Sequence, residues 1–207
     1  MRRHLPAPEI FLVLVPLLPA AVRADREEWR LSVGGSATSA SMEDSAGHST
    51  AFLAGGVASL SFGLTNAIEL GVAAAVHYAP AVPFAGAVVD GDEGTLVTSL
   101  LTNVVALEAR WLGGVELSRV LWRTHPIVGV RLGVLGIWSS GRVVLDQERR
   151  LVDRYDDTFT VTPVLGAEVG VQHRLGTRFV LGGVATVEAG PGYRALGVRL
   201  EASWHFY

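Results

Sequence analysis

The chain has 207 residues, a span that suggests one domain, with 49% hydrophobic and 18% charged residues and a mean hydropathy of +0.36. It holds no cysteine, and all 17 basic residues are arginine, which excludes a disulfide scaffold and any thiolate nucleophile or thiolate metal site. The formal net charge is −3, so nothing in the balance points to nucleic acid as a partner.

The first 24 residues, "MRRHLPAPEIFLVLVPLLPAAVRA", open with Arg2 and Arg3 and continue with an apolar run over 10–18. Val22 and Ala24 are small residues suited to cleavage after Ala24. This is the layout of a secretory signal peptide, and the run is too short to span a bilayer as a helix. The expected domains are therefore a signal peptide at 1–24 and a single barrel domain at 25–207. Removing Arg2, Arg3, Arg23 and Glu9 moves the formal charge from −3 to −5.

Beyond that point, two-residue alternation recurs. The first predicted strand, 29–40, sets Trp29, Leu31 and Val33 against Arg30, Ser32 and Gly34. The second, 51–64, puts Phe52, Ala54, Ala58, Leu60 and Phe62 on one face and Gly55, Ser59 and Ser61 on the other. A turn at 65–66 leads to the third, 67–79, in which Ile68, Leu70, Val72, Val76 and Tyr78 alternate with Glu69, Gly71 and His77. In the fourth, 96–111, Val97, Leu101, Val105, Leu107 and Trp111 oppose Thr98, Thr102, Glu108 and Arg110, with Asn103 misplaced on the apolar side. The fifth, 126–138, and the sixth, 158–173, carry Arg131 and Glu168 on their polar faces. The seventh, 177–189, carries Arg178 and Glu188, and the last, "YRALGVRLEASWHFY", carries Arg199 and Glu201. Eight strands result, mostly longer than the five or six residues usual in soluble sheets. Segments 41–50, 80–95 and 139–157 read as long polar loops, 65–66 and 174–176 as tight turns, and 112–125 as an unassigned insertion.

Alternation suits two architectures. A soluble barrel buries its apolar face, and a membrane barrel turns it to lipid. Aromatic placement separates them. Trp29, Phe62, Trp111, Phe179, Trp204 and Phe206 fall at the strand ends bearing the tight turns, and Phe52, Tyr78, Trp138 and Phe159 at the ends bearing the long loops. Strand middles carry Leu, Val and Ala. Two aromatic girdles around an aliphatic band suit a bilayer, whereas a soluble core gives no reason to clear rings from its centre. The opposite face collects Arg30, Glu69, Glu108, Arg110, Arg131, Glu168, Arg178, Glu188, Arg199 and Glu201, a mixture able to pair within a narrow lumen. The expected fold class is all-β: an eight-stranded antiparallel up-and-down transmembrane β-barrel after a cleaved signal peptide.

With these features the chain resembles the small outer-membrane barrels of Gram-negative bacteria, the OmpA-membrane-domain, OmpX and OmpW kind. The stretch "PIVGVRLGVLG" is similar to the Pro-aromatic-x-Gly-x-Gly strand of that superfamily, with Ile127 in place of the aromatic and Arg131 in place of the second glycine. The resemblance implies location in the outer membrane, contact with lipid and lipopolysaccharide, and insertion by the outer-membrane assembly machinery, which reads the last strand at Trp204 and Phe206. In that family the final residue is usually the outward aromatic. Here the parity gives that place to Phe206, with Tyr207 one residue beyond and facing in.

Eight strands leave an interior just wide enough for side chains. The expected role is therefore non-enzymatic: structural, surface-interacting or narrowly porin-like, with no cofactor. Two alternatives stand beside it. One is a barrel enzyme acting on lipid A, with His77 or the loop pair His48 and Ser49 as candidate groups, for which a lumen histidine and exposed loop residues are the ordinary reading. The other is a soluble periplasmic ligand-binding barrel. The acidic stretches "VVDGDEG" and "DRYDD" could hold a divalent cation, but EF-hand spacing is absent and a solvated loop is the ordinary reading. Arg149, Arg150 and Arg154 could meet lipopolysaccharide phosphates.

Overall fold

The computed structural model describes residues 28–44, 47–65, 68–89, 92–112, 124–146, 148–175 and 178–206. The predicted signal peptide, most of the 112–125 insertion and Tyr207 lie outside these residues. Among the described residues, nine strands form: β1 Trp29–Asp44, β2 Gly47–Gly63, β3 Ile68–Val89, β4 Asp92–Leu112, β5 Thr124–Leu145, β6 Leu151–Arg154, β7 Thr158–Arg174, β8 Phe179–Gly190 and β9 Tyr193–Phe206. No helix of the described residues is long and apolar enough to cross a membrane.

Eight of the strands close into a ring of antiparallel neighbours. The ladder runs from β4 through β3, β2 and β1 to β9, β8, β7 and β5, and β5 pairs β4 to complete the circuit. The last strand closes against the first, with Phe206 opposite Trp29 and Val198 opposite Ala37. That closure explains why the two-residue period persists to Phe206, because a frayed final strand would leave an open edge in lipid. The short β6 pairs only the far end of β5, outside the ring.

The strands are longer than the sequence suggested. β3 and β5 have 22 residues each and β4 has 21, against the 9–11 a tilted strand needs to cross a bilayer. Much of the predicted loops at 41–50, 80–95 and 139–157 is therefore strand, a correction with an identifiable cause. In the latter two the alternation changes phase, whereas 41–50 keeps its period and is filled with small polar residues. Ala81 has a positive φ of 51° and Gly141 one of 62°, and the β3–β4 and β4–β5 registers slip beside them, between Ala79 and Val82 and between Val97 and Ser99. Each bulge swaps the inward and outward sets. Below it odd-numbered residues of β3 face in; beyond it Val82 and Phe84 do. A search for one unbroken period stops at the slip.

Strong coiling of the wall rests on glycine. A Cβ on Gly34 would lie 1.9 Å from the Leu200 carbonyl oxygen, and one on Gly55 1.8 Å from that of Val76. Both face the lumen, where only a residue without a side chain lets neighbouring strands approach so closely.

Candidate functional site

The outer face is an aliphatic belt. Leu107, Leu132, Leu165, Leu196 and Leu200 are each at least 60% exposed, and Val33, Val130, Val169 and Val198 are also bare. Such a surface has no place in water. All ten predicted girdle aromatics stand on this face. At the tight-turn end the Trp29 and Phe62 rings pack at 5.1 Å between centroids, Trp29 faces Phe206 in the ladder, Phe179 faces Trp204, and Trp111 faces Ile68. At the other end Trp138 and Phe159 pack at 6.3 Å, with Phe52 and Tyr78 exposed on β2 and β3.

Inside, the lumen has two tiers. The tier nearer the tight turns is a lattice of buried arginines and glutamates. From β4, Arg110 meets Glu168 of β7, Glu201 of β9 at 3.1 Å and Glu108 at 3.3 Å. From β9, Arg199 reaches Glu108 at 3.0 Å and Glu168 at 2.7 Å, and also contacts Glu201. Arg131 of β5 bridges Glu108 at 2.9 Å and Glu188 at 2.5 Å. Closer to the rim, Arg30 of β1 pairs Glu69 of β3 at 2.9 Å and donates to Gln172 Oε1 at 2.9 Å. Ser32 and Ser203 share a hydrogen bond, and His205 meets Glu28 at the mouth. Each central glutamate accepts from more than one guanidinium, the arrangement that offsets the cost of taking these charges out of water.

Nine of the ten predicted lumen charges are thus brought together. Arg178 is not. It sits just before β8, exposed at the turn, and its carbonyl accepts the backbone N–H of His205. Its parity in the sequence was inward, but β8 starts one residue later, so the strand period does not reach it.

The tier beyond is apolar, and the sequence reading missed it. Leu53, Leu96, Leu100, Leu135 and Val144 are at most 1% exposed, and Met42, Val82, Phe84, Val104 and Tyr193 pack with them. Seeking one apolar and one polar face per strand passed over Leu53, Leu100 and Val104, which lie on the inward parity. Their signal was adjacent apolar pairs that occupy both parities, as in Leu96–Val97, Leu100–Leu101 and Val104–Val105 of "LVTSLLTNVV". Between the tiers a gap of about 20 Å³, lined by Ser36, Thr38, His77, Thr186 and Glu188, leaves room for about one water. His77 is held there by Ser36 at 2.8 Å and Thr102 at 3.5 Å.

His48 and Ser49 lie on β2, not in a loop, and point apart. Ser49 is buried and donates to the Pro83 carbonyl oxygen at 2.6 Å, whereas His48 is exposed on the outer face. Among the described residues no three His, Asp or Glu side chains gather to hold a metal ion. In "DRYDD", Asp157 instead accepts the Gly141 N–H, and Asp153 the N–H of Arg154. The acidic stretch at 88–94 lies largely outside the described side chains. Arg150 pairs Glu148 in solvent, where such contacts contribute little.

A closed ring of eight strands, lipid-facing outside and charge-paired within, has close structural counterparts. The fold is that of the small outer-membrane barrels. Ail, the attachment invasion locus protein of Yersinia pestis, solved with the heparin analogue sucrose octasulfate, superposes with a TM-score of 0.53 at 11% identity, over 87% of this chain and 99% of its own. Neisserial surface protein A gives 0.55 at 13%, over 86% and 97%. OprG of Pseudomonas aeruginosa gives 0.57 at 9%, over 87% and 96%. No family model and no curated protein sequence matches the chain. These likenesses show the fold, and the bare aliphatic belt argues for lipid outside the barrel and against a soluble periplasmic one.

Proposed function

We propose that the protein is a closed-lumen outer-membrane barrel whose work is done at its surface: a structural and surface-interaction protein, not a solute channel. The observation carrying this reading is the two-tier filling of the lumen. A hydrated ion entering the charged tier must break several short ion pairs, and one entering the mainly apolar tier trades its water shell for aliphatic walls and a few buried polar groups such as Thr98 and Ser139, each a cost of several kcal/mol or more. The elongated hairpins β1–β2, β3–β4 and β5–β6 then carry paired strand beyond the membrane. Their partners include lipopolysaccharide, with Arg149, Arg150 and Arg154 as candidate phosphate contacts, and the assembly machinery engages the β9 end. Planar-bilayer recording of the refolded protein tests the reading. It predicts no discrete steps above the lipid baseline, and regular openings by well-folded barrels would overturn it.

A further inference from the structure

On the outer face of the β1–β2 hairpin, Ser41 Oγ lies 3.4 Å from His48 Nε2. The two belong to neighbouring strands, and Glu43 stands directly opposite His48 in the ladder. Cross-strand Cβ atoms on one face lie about 4.5–5.5 Å apart, so a carboxylate is within reach of the imidazole. All three residues line one cleft of about 330 Å³, bounded also by Arg194, by Gly190 and Gly192 at the β8–β9 tip, and by Met42 and Tyr193, whose side chains pack inside the lumen. A nucleophile, a base in loose contact with it and an acid beside the base form the arrangement of serine hydrolases in the absence of substrate.

Its height is equally specific. Ser41 faces Thr50, and two residues nearer the membrane Ser39 faces Phe52 of the aromatic girdle. The cleft therefore opens about 7 Å beyond that ring, since a strand rises about 3.4 Å per residue. Girdle rings mark the level where acyl chains meet headgroups, so the cleft stands among the headgroups, and a lipid rises by about two residues of strand to bring its ester bond to Ser41. Arg194 is the ladder partner of Ser41 on the other side, exposed, and offers a guanidinium to a phosphate next to the ester.

We propose that Ser41, with His48 as its base, hydrolyses carboxylic esters of phosphate-bearing lipids in the adjoining leaflet. Ser41 Oγ attacks the ester carbonyl carbon as His48 Nε2 takes its proton. The carbon–oxygen bond to the alcohol breaks, and the leaving oxygen receives that proton. Water then attacks the acyl-serine, passing its proton through His48 to Ser41 Oγ, and the fatty acid leaves. Only ester and water are consumed. Glu43 is a positioning residue for the imidazole.

A fluorophosphonate probe tests the first half, because it forms an Oγ–P bond and expels fluoride only at an activated serine. Mass spectrometry of the folded barrel should find the adduct on Ser41. Labelling should fall by about a hundredfold or more in Ser41→Ala and His48→Gln, and stay unchanged in Ser39→Ala. Retention of the folded gel mobility in each variant excludes misfolding as the cause. Vesicles of phosphatidylethanolamine and phosphatidylglycerol test the second half: fatty-acid release should follow the same pattern. Arg194→Ala should slow release from these vesicles severalfold more than it slows hydrolysis of an uncharged p-nitrophenyl ester. Glu43→Gln should alter the pH profile, with Glu43→Asp restoring it. Absence of the adduct in the folded wild type, an adduct insensitive to Ser41→Ala, or labelling without fatty-acid release would each overturn the proposal. None of these results bears on whether the lumen conducts.

Discussion

Arg110 on β4 and Glu201 on β9 meet across the lumen, Nη2 to Oε1 at 3.1 Å, from strands on opposite sides of the ring. Three strands separate them whichever way the wall is followed. The contact is one strut of a lattice in which Arg199 returns from β9 to Glu108 on β4. Removing one partner leaves a buried, under-compensated charge, which costs about 3–5 kcal/mol in comparable sites. Arg110→Met should therefore lower unfolding stability in detergent by about that amount. Arg110→Met with Glu201→Leu should recover part of the loss. Urea titration of the three variants checks this, and strict additivity would mean that the two groups are not coupled.

The tiers should be separable by conductance. Arg110→Ser combined with Glu201→Ser loosens the charged tier but leaves Leu96, Leu100 and Phe84 packed beyond it. That variant is expected to stay silent in planar bilayers. Discrete openings would show that the charges alone seal the barrel and that the apolar tier is no barrier.

How much of this was readable in the residues differs by tier. The charged tier was legible because Glu69, Glu108, Arg131 and Glu168 keep strict alternation with lipid-facing Leu and Val. Who pairs with whom was not, since Arg110 and Glu201 are 91 residues apart and meet only through ring closure. The apolar tier was illegible for another reason. On β4 inward Leu96 and Leu100 look like outward Leu101 and Val105, and on β3 and β5 the phase slips at Ala81 and Gly141 scramble the parity that would single out Val82, Phe84 and Val144. Ser41 and His48 were hidden similarly, in a segment whose small polar residues read as loop.

Lipid exposure of the belt makes a graded prediction. Leu132 lies midway along β5, three alternations from Trp138 at the girdle, and is 60% exposed. Arg at the midplane of such a barrel costs about 2–4 kcal/mol, falling to about 0–1 near the interface. Leu132→Arg should thus cost several-fold more than Phe159→Arg when both are unfolded from phospholipid vesicles. Equal penalties would place the hydrocarbon band elsewhere on the wall.

The seam between β1 and β9 yields the last test. Phe206 is 39% exposed on the lipid face and lies opposite Trp29, which packs in turn on Phe62, so three strand ends are joined by rings at one interface. Aromatic contact there is worth about 0.5–1.5 kcal/mol beyond area burial and forms only as the ring closes. Phe206→Ala should therefore slow folding into preformed bilayers, and reduce assembly in cells, more than deletion of Tyr207, whose parity lies on the other face. The time course of the folded gel band measures both. Equal defects would mean that closure depends on strand length rather than on the ring at position 206, and that the seam's register is not what guides it.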